Sequence, residues 1–499
     1  MQSTYESLFS TYQDTRLLKK LENYSLWTIP SIFPENFEHG KTGNMEIQHD
    51  YQSVGATLVN NLAPKLAKLL FPFKQPFFHI EPTDKIKGLI DTGQNDEWRN
   101  ELVNLENSAS KQLFLNSGYA ALLETLKYLI ITGNALMIRE GTTTVVYGLR
   151  NFSILRDNSG KVLDLIIKES KAWGTVSDEL KGKATGRQYK DEDSVDLYTR
   201  VQRKDINGTV NYVVTQQLAG VDVNVTETYP ENLCPYIPVV WSLRAGDSYG
   251  RGLVEELAGD FAKLSDVSLA LAKYELETLR LIPLVKPGAT TDIDELAKAD
   301  TGEPVQGNPA DIQPYEGGQF AKIQQILADL DVITERLAKA FMYRGNTRQG
   351  ERVTATEVEL NANEADEALG GAISTISAHT HIRLAYLTLM EVSPEFITAV
   401  IANEFSLDIT AGVASLGRNS DVQALIQAAQ VIGGVVPVLT QLSQRIDPER
   451  IIDMVFRSYN LDTSLVMRTP EELNQLNEMQ QQVVNQADPL AAVQATGEL

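Results

Sequence analysis

Cysteine is almost missing from this sequence. Cys234 is the only one among 499 residues, so no disulfide can close within the chain, and a reducing compartment is expected. Histidine is scarce as well: His39, His49, His79, His379 and His381 are the full set. These six residues offer no metal-ligand spacing. His379 and His381 stand two apart, whereas a helical two-ligand site wants i, i+4. Neither a metal nor a cofactor is expected. Positive charge is in deficit, with 44 basic against 66 acidic residues and a net charge of −22. A protein that coats nucleic acid needs a basic face. This one could at most let nucleic acid pass without holding it, since each phosphate contact would add binding energy. Acidity for solubility is the plainer reading.

Long apolar runs are missing too. The first twenty residues have no apolar centre of the kind a signal peptide carries. The most apolar later stretch, 424–442, is interrupted by Gln427, Gln430, Gly433, Gly434 and Pro437, which argues against a membrane span. No period of 20–50 residues recurs, so a solenoid is excluded. Gly40-Lys41-Thr42 ends like a phosphate-binding loop, but Glu35 occupies the position of the required first glycine. Without that cradle the backbone N–H groups cannot wrap a phosphate. Energy for any driven process would have to come from a partner.

What is present is length for about three domains and a well-marked central stretch. A helix is predicted from about Gly252 to Ile282, with Leu253, Leu257, Phe261, Leu264, Val267, Leu271 and Tyr274 in one stripe, ended by Pro283. Such a helix would be about 45 Å long. A Pro- and Gly-rich knot follows to Gly318. A second helix is predicted from about Phe320 to Tyr343, with Ile323, Ile326, Leu330, Ile333, Leu337 and Phe341 recurring nearly every 3.5 residues. The segment 344–352 has no apolar residue and three arginines, Arg344, Arg348 and Arg352. Thr354-Ala355-Thr356-Glu357 then reads as a capping box opening a helix to about Met390. Gly370 and Gly371 could bend that helix, and Pro394 stops it.

N-terminal to this stretch, helices are predicted over 1–30, 51–70 (kinked at Pro64) and 97–132. The aromatics of 71–78 should be extended and buried. From Ala135 to Tyr229 the period switches to two. Strands are expected at 135–139, 143–148, 152–155, 162–168, 195–201, 210–216 and 221–226, with hairpin turns at 157–160 and Asn207-Gly208. Residues 410–470 read as a smaller helical unit, and the Gln- and Asn-rich end as a poorly ordered tail. The class is α+β, mainly α.

One pattern points to catalysis. Gly246-Asp247-Ser248-Tyr249-Gly250 fits G-x-S-x-G, with a strand before it, a helix after it and His379 and His381 downstream. A serine hydrolase using Ser248 is therefore an alternative. Against it, no alternating strand–helix series exists to build the parallel sheet. Both histidines sit among apolar helix neighbours. Paired carboxylates such as Glu255-Glu256 read as a solvated face.

Several short stretches, taken in order, resemble one family: the head-to-tail connector, or portal, proteins of T7-like short-tailed bacteriophages. They are Trp27-Thr28-Ile29-Pro30; Tyr51 to Ala56 with Asn60-Asn61-Leu62-Ala63 and Leu70-Phe71-Pro72; Gly133-Asn134-Ala135; Asp247 to Gly252; and Arg348 to Val358 with Leu369-Gly370-Gly371. Leu416-Gly417-Arg418 extends the likeness. The resemblance implies a non-enzymatic ring, usually of twelve subunits, at one vertex of an icosahedral head. Double-stranded DNA would pass through it, driven in by a separate terminase ATPase and later released through the tail. It implies a wing (1–248, with β structure at 135–229), stem helices at 249–283 and 319–343, and a clip at 284–318. It also implies a channel loop at 344–353, a further wing or channel helix at 354–408, a crown at 409–470 and a flexible tail at 471–499. It makes Arg344, Arg348 and Arg352 candidate DNA-channel residues, with helix-end or inter-subunit ion pairing as their other reading. Implied partners are further copies of the chain, the DNA, the terminase, the major capsid and scaffolding proteins and a tail adaptor, with no membrane. The implied place is the head–tail junction of the virion, assembled in the host cytoplasm. Another structural oligomer of the virion, such as a tail adaptor, is a further alternative. It would be smaller and lack the stem–clip–stem order.

Overall fold

The computed structural model of the chain describes residues 4–35, 47–72, 76–83, 85, 95–116, 118–183, 189–206, 208–278, 281–288, 292–300, 303–316, 320–343 and 355–409. The chain divides into two compact units, Met1–Val413 and Ala414–Leu499, and the described residues all lie in the first. The helical unit expected at 410–470, the tail and the turn residue Asn207 lie outside them.

Helices open the chain, each with a visible start signal. Helix α1 (Tyr5–Tyr12) begins where Thr4 accepts a hydrogen bond from Ser7 N, and α2 (Thr15–Leu26) where Asp14 accepts from Arg16 N and Leu17 N. The single helix expected over 1–30 is thus two. Helix α3 (Val54–Leu70) runs on through Pro64 and buries Leu58, Leu62, Leu66 and Leu70 on one face. The aromatic segment after it is more than an extended linker: β1 (Phe78–Pro82) is a strand, and Phe71, Phe77 and Phe78 are buried. The helix expected at 97–132 is also two, α4 (Asn95–Gln112) and α5 (Gly118–Thr132).

All seven strands expected between 135 and 229 form: β2 (Asn134–Glu140), β3 (Thr143–Tyr147), β4 (Phe152–Arg156), β5 (Val162–Ala172), β6 (Ser194–Ile206), β7 (Thr209–Leu218) and β8 (Val221–Pro230). A short helix, α6 (Asp178–Lys183), lies between β5 and β6. Strands β4 to β8 pair antiparallel in chain order, and β9 (Tyr236–Val240) joins β2 and β3 in a separate sheet of order β3-β2-β9. The first turn is set by Asp157, whose Oδ1 accepts from the backbone N–H groups of Ser159 and Lys161. Alternation along β5 sends Leu165 and Ile167 into the main core and Ile166 to the other face. There Ile166 forms a small separate core with Phe9 of α1 and Tyr198.

The central stretch differs from its expected form. The helix predicted over 252–282 is a short α7 (Leu253–Glu256) and a longer α8 (Ala258–Thr278), divided at Leu257 (φ −107°, ψ 15°). Pro283 does not end it. Proline 283 sits inside β10 (Leu281–Val285), opposite Pro314 of β11 (Ile312–Glu316), in a two-stranded antiparallel pair. Proline is tolerated there because a two-stranded pair has an open side where no N–H is needed. Helix α9 (Ile293–Lys298), capped by Asp292, lies between those strands in sequence.

Helix α10 (Phe320–Ala340) follows close to expectation. Helix α11 (Ala355–Val392) continues through Gly370 and Gly371, and Pro394 opens α12 (Pro394–Ile401) rather than only stopping the helix before it. Strand β12 (Phe405–Ile409) then returns to pair antiparallel with β1.

Candidate functional site

The G-x-S-x-G segment is a packing junction. Asn134 is buried, and its Oδ1 accepts from Gly250 N (2.7 Å) while its Nδ2 donates to Gly250 O (2.8 Å) and to Thr132 O (2.9 Å). Gly133 O accepts from Trp241 N, and Arg251 bridges Ser242. The glycines are there for close approach. A Cβ on Gly250 would fall 2.7 Å from Gly133 O, and one on Gly252 would fall 2.7 Å from Ile130 O. So the segment that starts α7 is clamped against the turn that ends α5. A second pair of the short stretches meets in the same way: Gln52 Nε2 donates to Trp27 O (2.6 Å), and a Cβ on Gly55 would fall 2.1 Å from that oxygen.

Ser248 has no base. Its Oγ accepts from Arg156 N at 3.4 Å, and no hydrogen bond joins it to either histidine. His379 Nδ1 is held by Thr375 O at 2.7 Å. His381 is buried; its Nδ1 meets Ser377 Oγ (2.6 Å) and its Nε2 meets Leu70 O (2.7 Å), with the Phe71 ring 4.7 Å away. Both are satisfied structural histidines, as their helical neighbours suggested.

Burial lowers the His381 pKa from 6.5 to about 4, against the opposing pull of its two backbone acceptors. The unfolded chain therefore takes up a proton between those values that the folded chain refuses. Stability is full above about pH 6.5, falls as pH drops toward 4 and levels off below it. The shift corresponds to roughly 3 kcal/mol. Chemical denaturation of the protein and of His381→Gln across that range should give a shallower acid slope for the variant. Equal slopes would mean that the folded chain accommodates the imidazolium.

The paired helices α8 and α10 share a buried apolar seam. Phe261, Leu264, Ile333, Leu337 and Phe341 are buried, and Phe261 packs edge-on to Phe341 with centroids 5.9 Å apart. Phe261 starts its helix and Phe341 follows the end of its own, so the two run antiparallel. Arg336 Nε and Asp260 Oδ2 lie 3.3 Å apart at the same end. Three large apolar residues face away from the seam: Leu276 is 70% exposed, Val332 61% and Leu327 44%.

The end of α10 is sharply defined. Tyr343 N donates to Ala338 O (2.7 Å) and Met342 N to Lys339 O (3.1 Å), a Schellman arrangement. Its left-handed position is filled by Met342, with φ +51°, where glycine is usual. Lys65 Nζ also donates to Met342 O at 2.6 Å. This aims the chain out of the helix just before Arg344. Arg344, Arg348 and Arg352 themselves lie outside the described residues, as does the capping box at Thr354.

Sequence reading missed the residues that tie these parts together. Gly133-Asn134 stood out only as a short stretch of the resemblance, with no partner assigned, and Met342 fell unremarked inside the helix predicted to Tyr343. Arg139 is an arginine at the end of an apolar strand run, and its partner Glu391 lies at the far end of α11. The one local signal was the pairing of small and polar residues in Gly133-Asn134. Among the described residues no group of three or more His, Cys, Asp or Glu could hold a metal. No described helix is long and apolar enough to cross a membrane.

Comparison with known proteins covers nearly the whole chain. The family described as "Bacteriophage head to tail connecting protein" matches residues 3–467. The portal protein of Pseudomonas phage phiKMV is 36% identical over 493 residues, covering 98% of this chain and 96% of that protein. The portal protein of Escherichia phage T7 is 29% identical over 500 residues, covering 96% and 91%. That of Enterobacteria phage SP6 is 28% identical over 422 residues, covering 83% and 79%. With a family match over most of its length and a relative at this identity and coverage, the chain belongs to the bacteriophage head to tail connecting proteins.

Proposed function

We propose that this chain is a portal: a non-enzymatic subunit of a ring, usually of twelve copies, at one vertex of the phage head. Double-stranded DNA enters and leaves through the ring. The observation that carries this beyond the family assignment is the unpartnered apolar surface of the α8–α10 pair. Single exposed apolar residues are ordinary. Here Leu276, Val332 and Leu327 stand on two helices whose shared seam is already filled. Val332 sits about 100° around its helix from the seam residue Ile333. A neighbouring copy on either side would cover this surface and build a tube wall from helices packed side by side.

In this reading α8 and α10 are the stem, residues 284–318 the clip, and the sheets of 135–229 belong to the wing. The crown follows at 409–470. The net charge of −22 keeps the phosphate backbone from sticking. Arg344, Arg348 and Arg352 on the channel loop touch phosphates briefly and damp back-slippage. A terminase ATPase supplies the work. The clip docks the terminase and then the tail adaptor, while the major capsid and scaffolding proteins surround the ring during assembly in the host cytoplasm. The finished ring stays at the head–tail junction.

Negative-stain microscopy of the purified protein should give rings with a central hole. In Leu276→Asp/Val332→Asp the rings should disappear while thermal melting of the subunit is unchanged. Rings that persist in the double variant would remove this face from the interface, and a wild-type protein without rings would overturn the portal reading. With alanine at Arg348 and Arg352, rings should still form, but the DNA retained per particle should fall. Full packaging and retention would remove the loop arginines from the mechanism.

A further inference from the structure

Helix α1 is fastened to the chain by a core of its own. It packs on β4, β5 and β6, on the face of the five-stranded sheet turned away from the main core. Phe9, Ile166 and Tyr198 are buried there, with Tyr5, Leu8 and Tyr12 packed around them. None of the six belongs to the main core. Phe9 lies edge-on to Tyr198, with ring centroids 6.0 Å apart. The polar ties stay on the same face. Tyr5 N donates to Gln217 Oε1 (3.1 Å), Tyr5 Oη shares a hydrogen bond with Thr215 Oγ1 (2.8 Å), and Tyr12 Oη donates to Asp164 Oδ2 (3.3 Å). Arg200 grips that carboxylate, and its guanidinium carbon lies 5.7 Å from the Tyr5 ring centre.

A helix of eight residues has little stability of its own in water, so α1 is helical only while it is seated. Behind it the chain passes through Gln13 and Asp14, both extended (ψ 129° and 99°), before α2 opens with its own cap. That joint lets α1 leave the sheet without unwinding α2. The seat also carries a built-in cost. Ser153 of β4 stands opposite Ile166, and Ile166 opposite Arg200, so all three point to the face that α1 covers. Ser153 is fully buried, and its Oγ has no hydrogen-bond partner among the described residues. A buried hydroxyl without a partner forfeits the bonds it makes to water. The cost is present only while α1 is seated, because water reaches Ser153 once the helix lifts.

We propose that α1 is a strap in equilibrium between a seated and a released form, and that Ser153 shifts the balance toward release. Release uncovers Ile166, Tyr198 and the outer face of β4 to β6, while the main core on the other face stays closed. The movement reaches the root of α7. Tyr249 Oη donates to Tyr12 O (2.9 Å) and accepts from Ile154 N (3.3 Å). Its hydroxyl thus stands between the end of the strap and β4, on the segment that Asn134 clamps. A seated α1 helps pin that segment to the sheet, and a released one gives up the bond to Tyr249. The strap does not rest on the portal reading.

The test is hydrogen exchange of the full chain, read by mass spectrometry. Amides of α1 should exchange on the order of a hundredfold faster than those of β5 and β6, which open only with the sheet. Ser153→Ala removes the orphan hydroxyl and should slow the exchange of α1 about tenfold. Phe9→Ala empties the seat and should speed it about tenfold or more, with thermal melting of the chain unchanged. Tyr249→Phe keeps the ring, loses the bond to Tyr12 O and should speed it about fivefold. Exchange of α1 at the rate of β5 and β6 would overturn the strap, since the helix would then open only with the whole sheet. An unchanged or faster α1 rate in Ser153→Ala would overturn it too, because the hydroxyl would then be satisfied under the seated helix. So would a fall in melting temperature in Phe9→Ala, which would make α1 part of one cooperative unit. An unchanged rate in Tyr249→Phe would overturn the link to α7.

Discussion

Gly133→Ala is expected to abolish soluble folded protein. The clash is with backbone, which cannot swing aside. A Cβ there would lie 2.4 Å from the carbonyl carbon of Arg251 and 2.5 Å from Gly252 N, and the residue already sits at φ +75°. An alanine must therefore both tolerate a left-handed conformation and push the start of α7 away from the end of α5. Pushing it away breaks the clamp that Asn134 makes to both backbone groups of Gly250. Losses above about 4 kcal/mol come from a short list of causes, of which this is one. Asn134→Ala removes the clamp without the clash. It strands two buried backbone groups and should cost about 2–4 kcal/mol. The measurement is soluble yield and thermal melting of the two variants beside the wild type. A soluble Gly133→Ala protein with wild-type melting would mean that the 250–252 segment can retreat, and that the junction is not the rigid root of α8.

Glu391→Ala should destabilise the chain by about 3–5 kcal/mol, because it strands a fully buried positive charge. The Arg139 side chain has no solvent exposure. Its Nε and Nη2 bind the two oxygens of Glu391 at 2.7 and 2.8 Å, its Nη1 donates to Thr144 Oγ1 at 3.1 Å, and Nη2 also reaches Gln112 O at 3.2 Å. One guanidinium thus joins β2, β3, the end of α4 and the end of α11. Replacing both partners by apolar residues of similar size, as in Arg139→Met/Glu391→Leu, should recover most of that loss, since no charge is then left buried. Denaturant unfolding of the single and double variants completes a cycle in which the two changes should be strongly non-additive. A Glu391→Ala loss below about 1 kcal/mol would mean that water reaches Arg139 once the carboxylate is gone.

The sequence marked Gly133-Asn134 as a motif but not what it meets, and it left Arg139 and Glu391 inconspicuous; the same division runs through the whole chain. Alternation of period two between 135 and 229 located all seven strands there, because each strand buries one or both faces and writes that burial into its own residues. The stripe of α10 was legible for the same reason, as was the structural character of His379 and His381 among their apolar neighbours. Proline was less reliable: Pro283 looked like a helix stop and lies in a strand, because its effect depends on whether its missing N–H would have faced a partner. Pro64 sits inside a helix that continues around it.

What the sequence by itself determined is the local periods, the short backbone-contact motifs and, through them, the family. Tertiary structure alone decided which motif meets which. It brought Gly133-Asn134 against 250–252, Trp27 against Gly55, and residues 78–82 into a strand pair with 405–409. It also decided that Arg139 finds Glu391. The physical reason is that periodicity is enforced by each element's own burial. A partner far along the chain is selected only by the packing of the whole, through contacts that leave no repeat in the sequence.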